Sequence, residues 1–444
     1  MRHIRWTLWV LLAGTSLLFA LAVVSWPSGW GWFAWRGLVV QYTGVVAIVG
    51  MAAAMVLALR GRWLETRLDG LDKMYRLHKW LGIGALVAAV LHWWWALGSK
   101  WMVGWGWVVR PPRGPRAAPA DALGAWLRGQ RGLAEEIGEF AFYGLLILLV
   151  VALWRRIPYH WFARTHRLVP LAWLVLAFHT VVLLDGAYWW QPVGWLVALS
   201  LLVGSWAALV SLTGRIGAGR RLRGTVQAME VFPPPLDMLK VEIGMQPGWA
   251  GHQAGQFAFV ASRRHEGAHP YTIASDWHPE NGMIRFVTKA LGDHTRTLPQ
   301  VLHVGDAVTV EGPYGCFDFT DGKRRQIWIA GGIGITPFLA RMQQLEHEPG
   351  HAEVDLFYAT DVDDRPTLQR LAALARSVDV RLHVRISPRD GFLDGAAIRA
   401  VVPQWRDAGV WFCGPAGFGA AVRADLIANG LEARAFRQEL FRMR

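Results

Sequence analysis

The chain has 444 residues and a formal net charge of +13, with a mean hydropathy of +0.24. Its two cysteines, Cys316 and Cys413, exclude a disulfide framework and a cysteine-based zinc site, and no low-complexity tract or solenoid repeat is present. Arg and Lys cluster beside long apolar stretches, so the charge speaks for membrane orientation and against nucleic-acid binding. Residues 1 to about 213 hold most of the 27 tryptophans and read as a membrane domain, whereas the remainder has the composition of a globular protein.

Six apolar spans follow one another, each near the roughly 20 residues that cross a bilayer. They run from about Trp6 to Trp26, Trp35 to Leu59, His78 to Leu97, Ile137 to Trp154, Thr165 to Leu184 and Pro192 to Leu212. The first contains the small-x-small triplet Ala20-Leu21-Ala22, but its apolar run continues through Val23 and Val24, which favours a retained helix over a cleaved leader. Arg60, Arg62, Arg67, Lys73, Arg76 and Lys79 separate spans two and three. Arg155, Arg156, Arg164 and Arg167 separate spans four and five, and Arg215, Arg220, Arg221 and Arg223 follow span six. These loops belong on the cytoplasmic side, which puts both termini and the globular half there too. The long basic loop from about Ser99 to Gly132 departs from that rule, as long loops do.

Ionisable groups inside a bilayer are costly and mark function. Span three carries His78 and His92, and span five carries His166 and His179. Spacings of fourteen and thirteen residues put the members of each pair about 20 Å apart along a helix. Because the two spans run in the same direction, His78 falls level with His166 and His92 with His179. Each level then offers two imidazoles from two helices, an arrangement that suits bis-histidine ligation of a haem. Hydrogen-bonded interfacial histidines, a proton relay and a metal pathway are the competing readings. The thirteen-residue spacing leaves His179 about 140° from His166 on a straight helix, and Pro170 between them is a candidate kink. Trp173 lies between the two levels, either bridging them or serving as a lipid-facing or packing residue. Glu135, Glu136 and Glu139 begin span four as a solvated helix start or a cation attractor.

From about Gly224 to Thr320, short alternating runs at Leu239–Ile243, Gln256–Val260, Ile284–Thr288 and Ala307–Glu311 predict a small antiparallel β-barrel. Beyond Gln326 the pattern becomes α/β. Strands are predicted at Gln326–Ala330, Val354–Tyr358, Arg381–Ile386 and Val410–Cys413, with a helix from about Phe338 and another at Leu368–Ser377. Gly331-Gly332-Ile333-Gly334-Ile335-Thr336-Pro337 joins the first of these strands to its helix. Glycines there permit close approach of a pyrophosphate to a helix N-terminus, although a plain tight turn shares the pattern. Predicted domains are 1–214, 219–322 and 323–444.

Taken together, these segments resemble the NADPH oxidase and ferric reductase superfamily in its compact bacterial form, over nearly the whole chain. The resemblance implies a multidomain fold: a six-helix transmembrane haem-binding bundle, an antiparallel β-barrel FAD domain and an α/β NAD(P)-binding domain of ferredoxin-reductase type. It implies His78, His92, His166 and His179 as ligands of two b-type haems. His269-Pro270-Tyr271-Thr272-Ile273-Ala274-Ser275 is similar to the family's flavin motif; by that likeness Tyr271 packs on the flavin and Thr272 hydrogen-bonds near its redox-active nitrogen. Lys289-Ala290-Leu291-Gly292-Asp293-His294-Thr295 resembles the segment along the FAD pyrophosphate, and Glu311-Gly312-Pro313-Tyr314-Gly315 the turn closing the flavin barrel. Gly331 to Pro337, with Gly332, Gly334, Ile335 and Thr336, resembles the nucleotide loop. Cys413-Gly414-Pro415 resembles the second nucleotide motif, whose thiol lies near the nicotinamide, and Phe441 in Glu439-Leu440-Phe441-Arg442 the aromatic that shields the flavin.

Asp361, at the end of the second α/β strand, stands where NADPH-specific relatives often carry Arg; an acid there favours a free ribose 2′-hydroxyl and hence NADH, although Arg365 is close by. No EF-hand loop precedes the membrane half. The implied activity is a flavocytochrome oxidoreductase in the bacterial inner membrane. It would take electrons from NADPH or NADH through FAD and haem to an outer acceptor, dioxygen (with superoxide as product) or a ferric chelate, with a periplasmic partner or quinone behind these. No obligatory protein partner is implied. A proton or metal transporter is the non-enzymatic alternative.

Overall fold

The computed structural model describes the chain apart from residues 1, 30, 111–120, 155, 158, 263–266, 349 and 440–444, and the side chains of 2, 3, 159, 160 and 293. It divides into two compact units, Met1–Leu68 with Lys73–Ile216, and Gly217–Arg442 with Asp69–Asp72.

The first unit contains six helices long and apolar enough to cross a membrane: Ile4–Ala22, Trp32–Ala58, Leu71–Gly104, Arg131–Leu153, Trp161–Leu183 and Pro192–Leu212. We call them spans 1 to 6, and they match the six predicted segments. Their outward faces remain apolar, with Trp6, Phe140, Ile147, Trp195 and Leu202 exposed, as a lipid-facing surface requires. Phe19, Val45, Ile48, Trp173, Val193 and Val197 form the inner core. Phe19 packs its ring on Tyr42 and Tyr188, so span 1 is part of the bundle.

Span 5 is not one continuous helix. Its first turns end at His166, and a new helix runs over Val169–Leu183 with Pro170 in its first turn. Proline lacks the backbone N–H that a helix interior needs but fits the first turn, where that donor has no partner. The turn at 167–168 thus resets the helical phase between His166 and His179, which accounts for the thirteen-residue spacing.

The second unit holds two sheets. The first is six-stranded and antiparallel, built from β1 (Arg221–Phe232), β2 (Met238–Met245), β3 (Phe257–Ala261), β4 (His269–Thr272), β5 (Met283–Lys289) and β6 (Ala307–Tyr314). Its order is β4-β3-β6-β1-β2-β5. The edge strands approach through one isolated bridge, Ile273 with Phe286, rather than a continuous ladder. Val226, Val241, Ile243, Ala258, Ile273, Ile284 and Val310 fill the interior.

The second sheet comprises β7 (Arg325–Gly331), β8 (Glu353–Thr360), β9 (Val380–Ile386), β10 (Gly409–Cys413) and β11 (Phe436–Gln438) in the order β11-β10-β7-β8-β9, parallel throughout. Side chains alternate across a strand. Ile327, Ile329, Val410 and Phe412 therefore join one core and Trp328, Ala330, Trp411 and Cys413 the other. Helices cover both faces, as the continuous apolar runs demand.

Candidate functional site

The four membrane histidines meet in the predicted pairs. The rings of His78 and His166 have centroids 6.0 Å apart, and those of His92 and His179 lie 6.1 Å apart. One metal bound by a nitrogen from each ring, at about 2 Å per bond, calls for a ring separation of that size. Spans 4 and 5, and 2 and 6, pack closely along their backbones, and the two histidine pairs bridge spans 3 and 5.

Three of the four rings have a defined tautomer. His78 donates Nδ1–H to the Ala54 carbonyl at 2.8 Å, His92 to Val40 at 2.9 Å and His179 to Ala134 at 2.7 Å. A carbonyl only accepts, so each Nδ1 carries the proton and each Nε2 presents its lone pair. Backbone acceptors of this kind orient metal-ligating histidines. His166 Nδ1 is buried with no hydrogen-bond partner among the described residues. Two glycines make room for the His92 and His179 rings. A Cβ at Gly44 would lie 3.1 Å from His92 Nδ1, and one at Gly138 would lie 2.5 Å from His179 Cε1. The donor set, the ring spacing and these cradles fit two haems, one at His78 with His166 and one at His92 with His179.

Trp173 is fully buried and packs on Gly204, where a Cβ would come within 2.7 Å of the indole, and it donates Nε1–H to Ser205 Oγ at 3.2 Å. It is a core residue and does not face lipid. Glu135 pairs with Arg131 at 2.9 Å, and Glu139 accepts from the Tyr143 hydroxyl at 2.8 Å.

In the second unit, β4 and the segment after β5 bring the flavin-motif residues together. The His269 and His294 rings stack with centroids 3.7 Å apart, and His294 Nε2 is hydrogen-bonded to the Tyr271 hydroxyl at 2.8 Å. Pro270 lies on the same short strand, and Thr272 and Ser275 are buried, with Ser275 Oγ accepting from the Arg285 N–H at 3.2 Å. Thr295 Oγ1 accepts the backbone N–H groups of Leu291 and Gly292, both at 3.1 Å, which fixes the turn leading into the helix Asp293–Val301. Lys289 Nζ reaches Asp361 Oδ1 at 3.9 Å, so the pyrophosphate-like segment and the end of β8 face one another.

The two nucleotide motifs also meet. Both follow C-terminal ends of neighbouring parallel strands, β7 and β10, where ligands bind in open α/β sheets. A Cβ on Gly334 would sit 2.6 Å from the Cys413 carbonyl carbon, and one on Gly331 would sit 2.8 Å from Pro415. Gly414 in turn lies against the Gly331 backbone. Gly332 has φ +55°, a left-handed conformation that glycine adopts without strain. Ile335, Thr336 and Pro337 carry the loop into the helix Thr336–Leu345. The Cys413 side chain is fully enclosed, and burial pushes its thiol well up, so it stays protonated. Phe441, Leu440 and Arg442, and the side chain of Asp293, lie outside the described residues.

Sequence reasoning missed the carbonyls of Ala54, Val40 and Ala134 and the glycine cradles Gly44 and Gly138. Their only sequence signal is small residues inside apolar helices, which becomes specific once the helix pairing is known.

Residues 43–177 match the model of the ferric reductase like transmembrane component, and residues 224–317 match that of an FAD-binding domain. The first match includes His78, His92 and His166 and ends two residues before His179. These two matches support the resemblance to the NADPH oxidase and ferric reductase superfamily. The chain therefore combines a ferric-reductase-like transmembrane segment, within six helices long and apolar enough to cross a membrane, with an FAD-binding domain. Among curated relatives, the flavohemoprotein of Oceanobacillus iheyensis is 26% identical over 32% of this chain and 37% of its own length. The vanillate O-demethylase oxidoreductase of Pseudomonas putida is 30% identical over 33% of this chain and 45% of its own. The chain thus spans less than half the length of these two relatives. Among solved structures, flavohemoglobin from Malassezia yamatoensis aligns with TM-score 0.46 at 17% identity, over 91% of this chain and 98% of that one.

Proposed function

We propose that this chain carries electrons from NAD(P)H, by way of FAD and two b-type haems, across the membrane to an extracytoplasmic acceptor. Dioxygen and a ferric chelate are the leading acceptors, with a periplasmic redox partner or quinone as the alternative. The observation that carries this reading is the two histidine pairs, spaced 6.0 and 6.1 Å and oriented through Nδ1 at three of their four rings. When bound, a flavin takes up a hydride's two electrons and releases them singly, and a haem iron carries one.

The chain's own residues set the conditions. Ala54, Val40 and Ala134 hold three imidazoles in the tautomer that leaves Nε2 basic. With two imidazoles holding each iron, the acceptor would be recognised by the protein surface and not by the metal itself. We assign acceptor recognition to the loop from Ser99 to Gly132 and the Tyr188-Trp189-Trp190 turn, which follow His92 and His179 in the sequence. Gly331 to Thr336 offers backbone N–H groups to a pyrophosphate. Asp361 favours a free ribose 2′-hydroxyl and therefore NADH. Tyr271, Thr272, His294 and Cys413 are the residues we assign to the flavin and nicotinamide, with Phe441 as the shielding aromatic. The arginine-rich loops support a cytoplasmic location for both termini and the flavin module. A proton or metal transporter, the other use of intramembrane histidines, leaves the flavin-binding segment without a purpose.

The test is the absorption spectrum and cofactor content of the purified full chain. Two haems and one FAD per chain, all reduced by NADH or NADPH, are expected. A protein lacking a Soret band, or one whose haem is untouched by either nucleotide, would overturn the reading. Turnover with dioxygen against ferric chelates then selects the acceptor.

A further inference from the structure

A second constellation lies away from the cofactor motifs. Asp276, His278 and His347 each offer one ligand atom, and these atoms all lie within 4.8 Å of one another. We propose that these three side chains form a divalent transition-metal site, suited to Zn²⁺, that clips the antiparallel sheet's connecting loop to the parallel sheet's first helix.

The donor set is two imidazole nitrogens and one carboxylate oxygen, the borderline combination that zinc takes with water in the remaining position. His278 Nε2 and Asp276 Oδ2 are already 2.6 Å apart, sharing a proton that a metal would replace. Co-ligands of a tetrahedral zinc stand about 3.3 Å apart. That pair therefore opens by less than an ångström, while the exposed His347 closes by a little more. The His278 and His347 rings meet at 90° with centroids 5.2 Å apart, so the third ligand is already turned toward the same point. On the far edge of the His278 ring, Glu280 Oε1 lies 3.8 Å from Nδ1, in place to orient the imidazole as carboxylates do behind metal-binding histidines. An Asp–His ion pair explains the first two residues without a metal; it does not explain the third.

The site's position gives it a use. His278 lies in the loop that begins three residues after the Tyr271-Thr272 motif, and His347 follows the helix Thr336–Leu345 whose N-terminus carries the nucleotide loop. The Asp276 N–H also faces Gln343 Oε1 of that helix at 3.4 Å. A metal here ties the far end of the flavin-motif segment to the far end of the nucleotide helix. It would fix the separation of the two segments that must present a nicotinamide to a flavin.

The experiment is equilibrium dialysis of the tag-free, cofactor-loaded full chain against Zn²⁺, with metal counted per chain, for wild type, His347→Ala and His278→Ala. Wild type should bind one more zinc than either variant, with affinity weakened at least about tenfold in each. Zinc should raise the thermal midpoint of wild type and leave that of His347→Ala unchanged. His347 is exposed, so its variant folds and keeps its flavin, which preserves the test if His278→Ala is unstable. Equal zinc stoichiometry and affinity in wild type and His347→Ala would overturn the site, as would a wild type that binds no zinc beyond that of the variants.

Discussion

On the proposed reading, the substitution Gly138→Ala would separate the haem site at His92 and His179 from that at His78 and His166. A Cβ at 138 would lie 2.5 Å from His179 Cε1, 2.9 Å from Cγ, and closer still to Nδ1. Ordinary contact begins near 3.4 Å, so the ring must withdraw by about an ångström, which also strains its bond to the Ala134 carbonyl. Overpacking of this kind costs about 1–3 kcal/mol, and a lost hydrogen bond about 1 kcal/mol. At a factor of ten per roughly 1.4 kcal/mol, affinity at the His92 and His179 level should fall by about 30-fold to 1,000-fold. Alanine also gains about 1 kcal/mol of helix propensity over glycine, so the bundle itself should not weaken much. The assay is haem per FAD by pyridine haemochromogen, expected to fall from two toward one. Gly144→Ala, in the same helix with nothing within 4 Å of its Cβ, should retain both haems. Gly44→Ala, where the contact would be 3.1 Å, should show a milder loss. Full retention of two haems in Gly138→Ala would refute the assignment of His179 as an outer ligand.

Four further outcomes are expected. Gly334→Val, whose Cβ would meet the Cys413 backbone within 2.6 Å, should abolish flavin reduction by nicotinamide nucleotides while dithionite still reduces the flavin; stopped-flow absorbance distinguishes the two. Asp361→Ala should shift the NADH to NADPH ratio of kcat/KM toward NADPH by about tenfold, since one charge opposite a phosphate is worth roughly 1–2 kcal/mol; an unchanged ratio would remove Asp361 from nucleotide recognition. Trp173→Ala should cost about 3–5 kcal/mol of stability through the cavity it leaves, whereas Trp173→Phe should preserve haem-to-haem transfer, because the indole's role is packing. His252 is held below the ordinary histidine range, mainly by burial, although its bond to the Ser275 carbonyl and the nearby Asp276 pull the other way. Its folded pKa lies under the unfolded value, so the unfolded chain binds the extra proton first and stability falls as pH drops below about 6.5. His252→Gln should flatten that acid limb in thermal scans from pH 7 to 5.

The spans, the pairing of His78 with His166 and His92 with His179, and the glycine loop after β7 were legible because each rests on a local rule: apolar length, helical rise, or a strand–glycine–helix junction. What was illegible depends on partners brought together from afar. The 140° phase error at span 5 follows from treating His166 to His179 as one helix. Pro170 signalled a disturbance, but only the break at 167–168 shows that the chain spends two residues outside the helix to re-aim His166. The carbonyls of Val40 and Ala54 belong to span 2, which carries no histidine of its own, yet they set the tautomers of both ligands on span 3. Ala134 on span 4 does the same for His179, four residues before the glycine that makes room for that ring. A single turn of span 4 thus holds both the acceptor and the space, so sliding that helix by one residue would remove both together. On the proposed reading the histidines mark where iron would bind, and the helices without histidines decide which nitrogen would meet it.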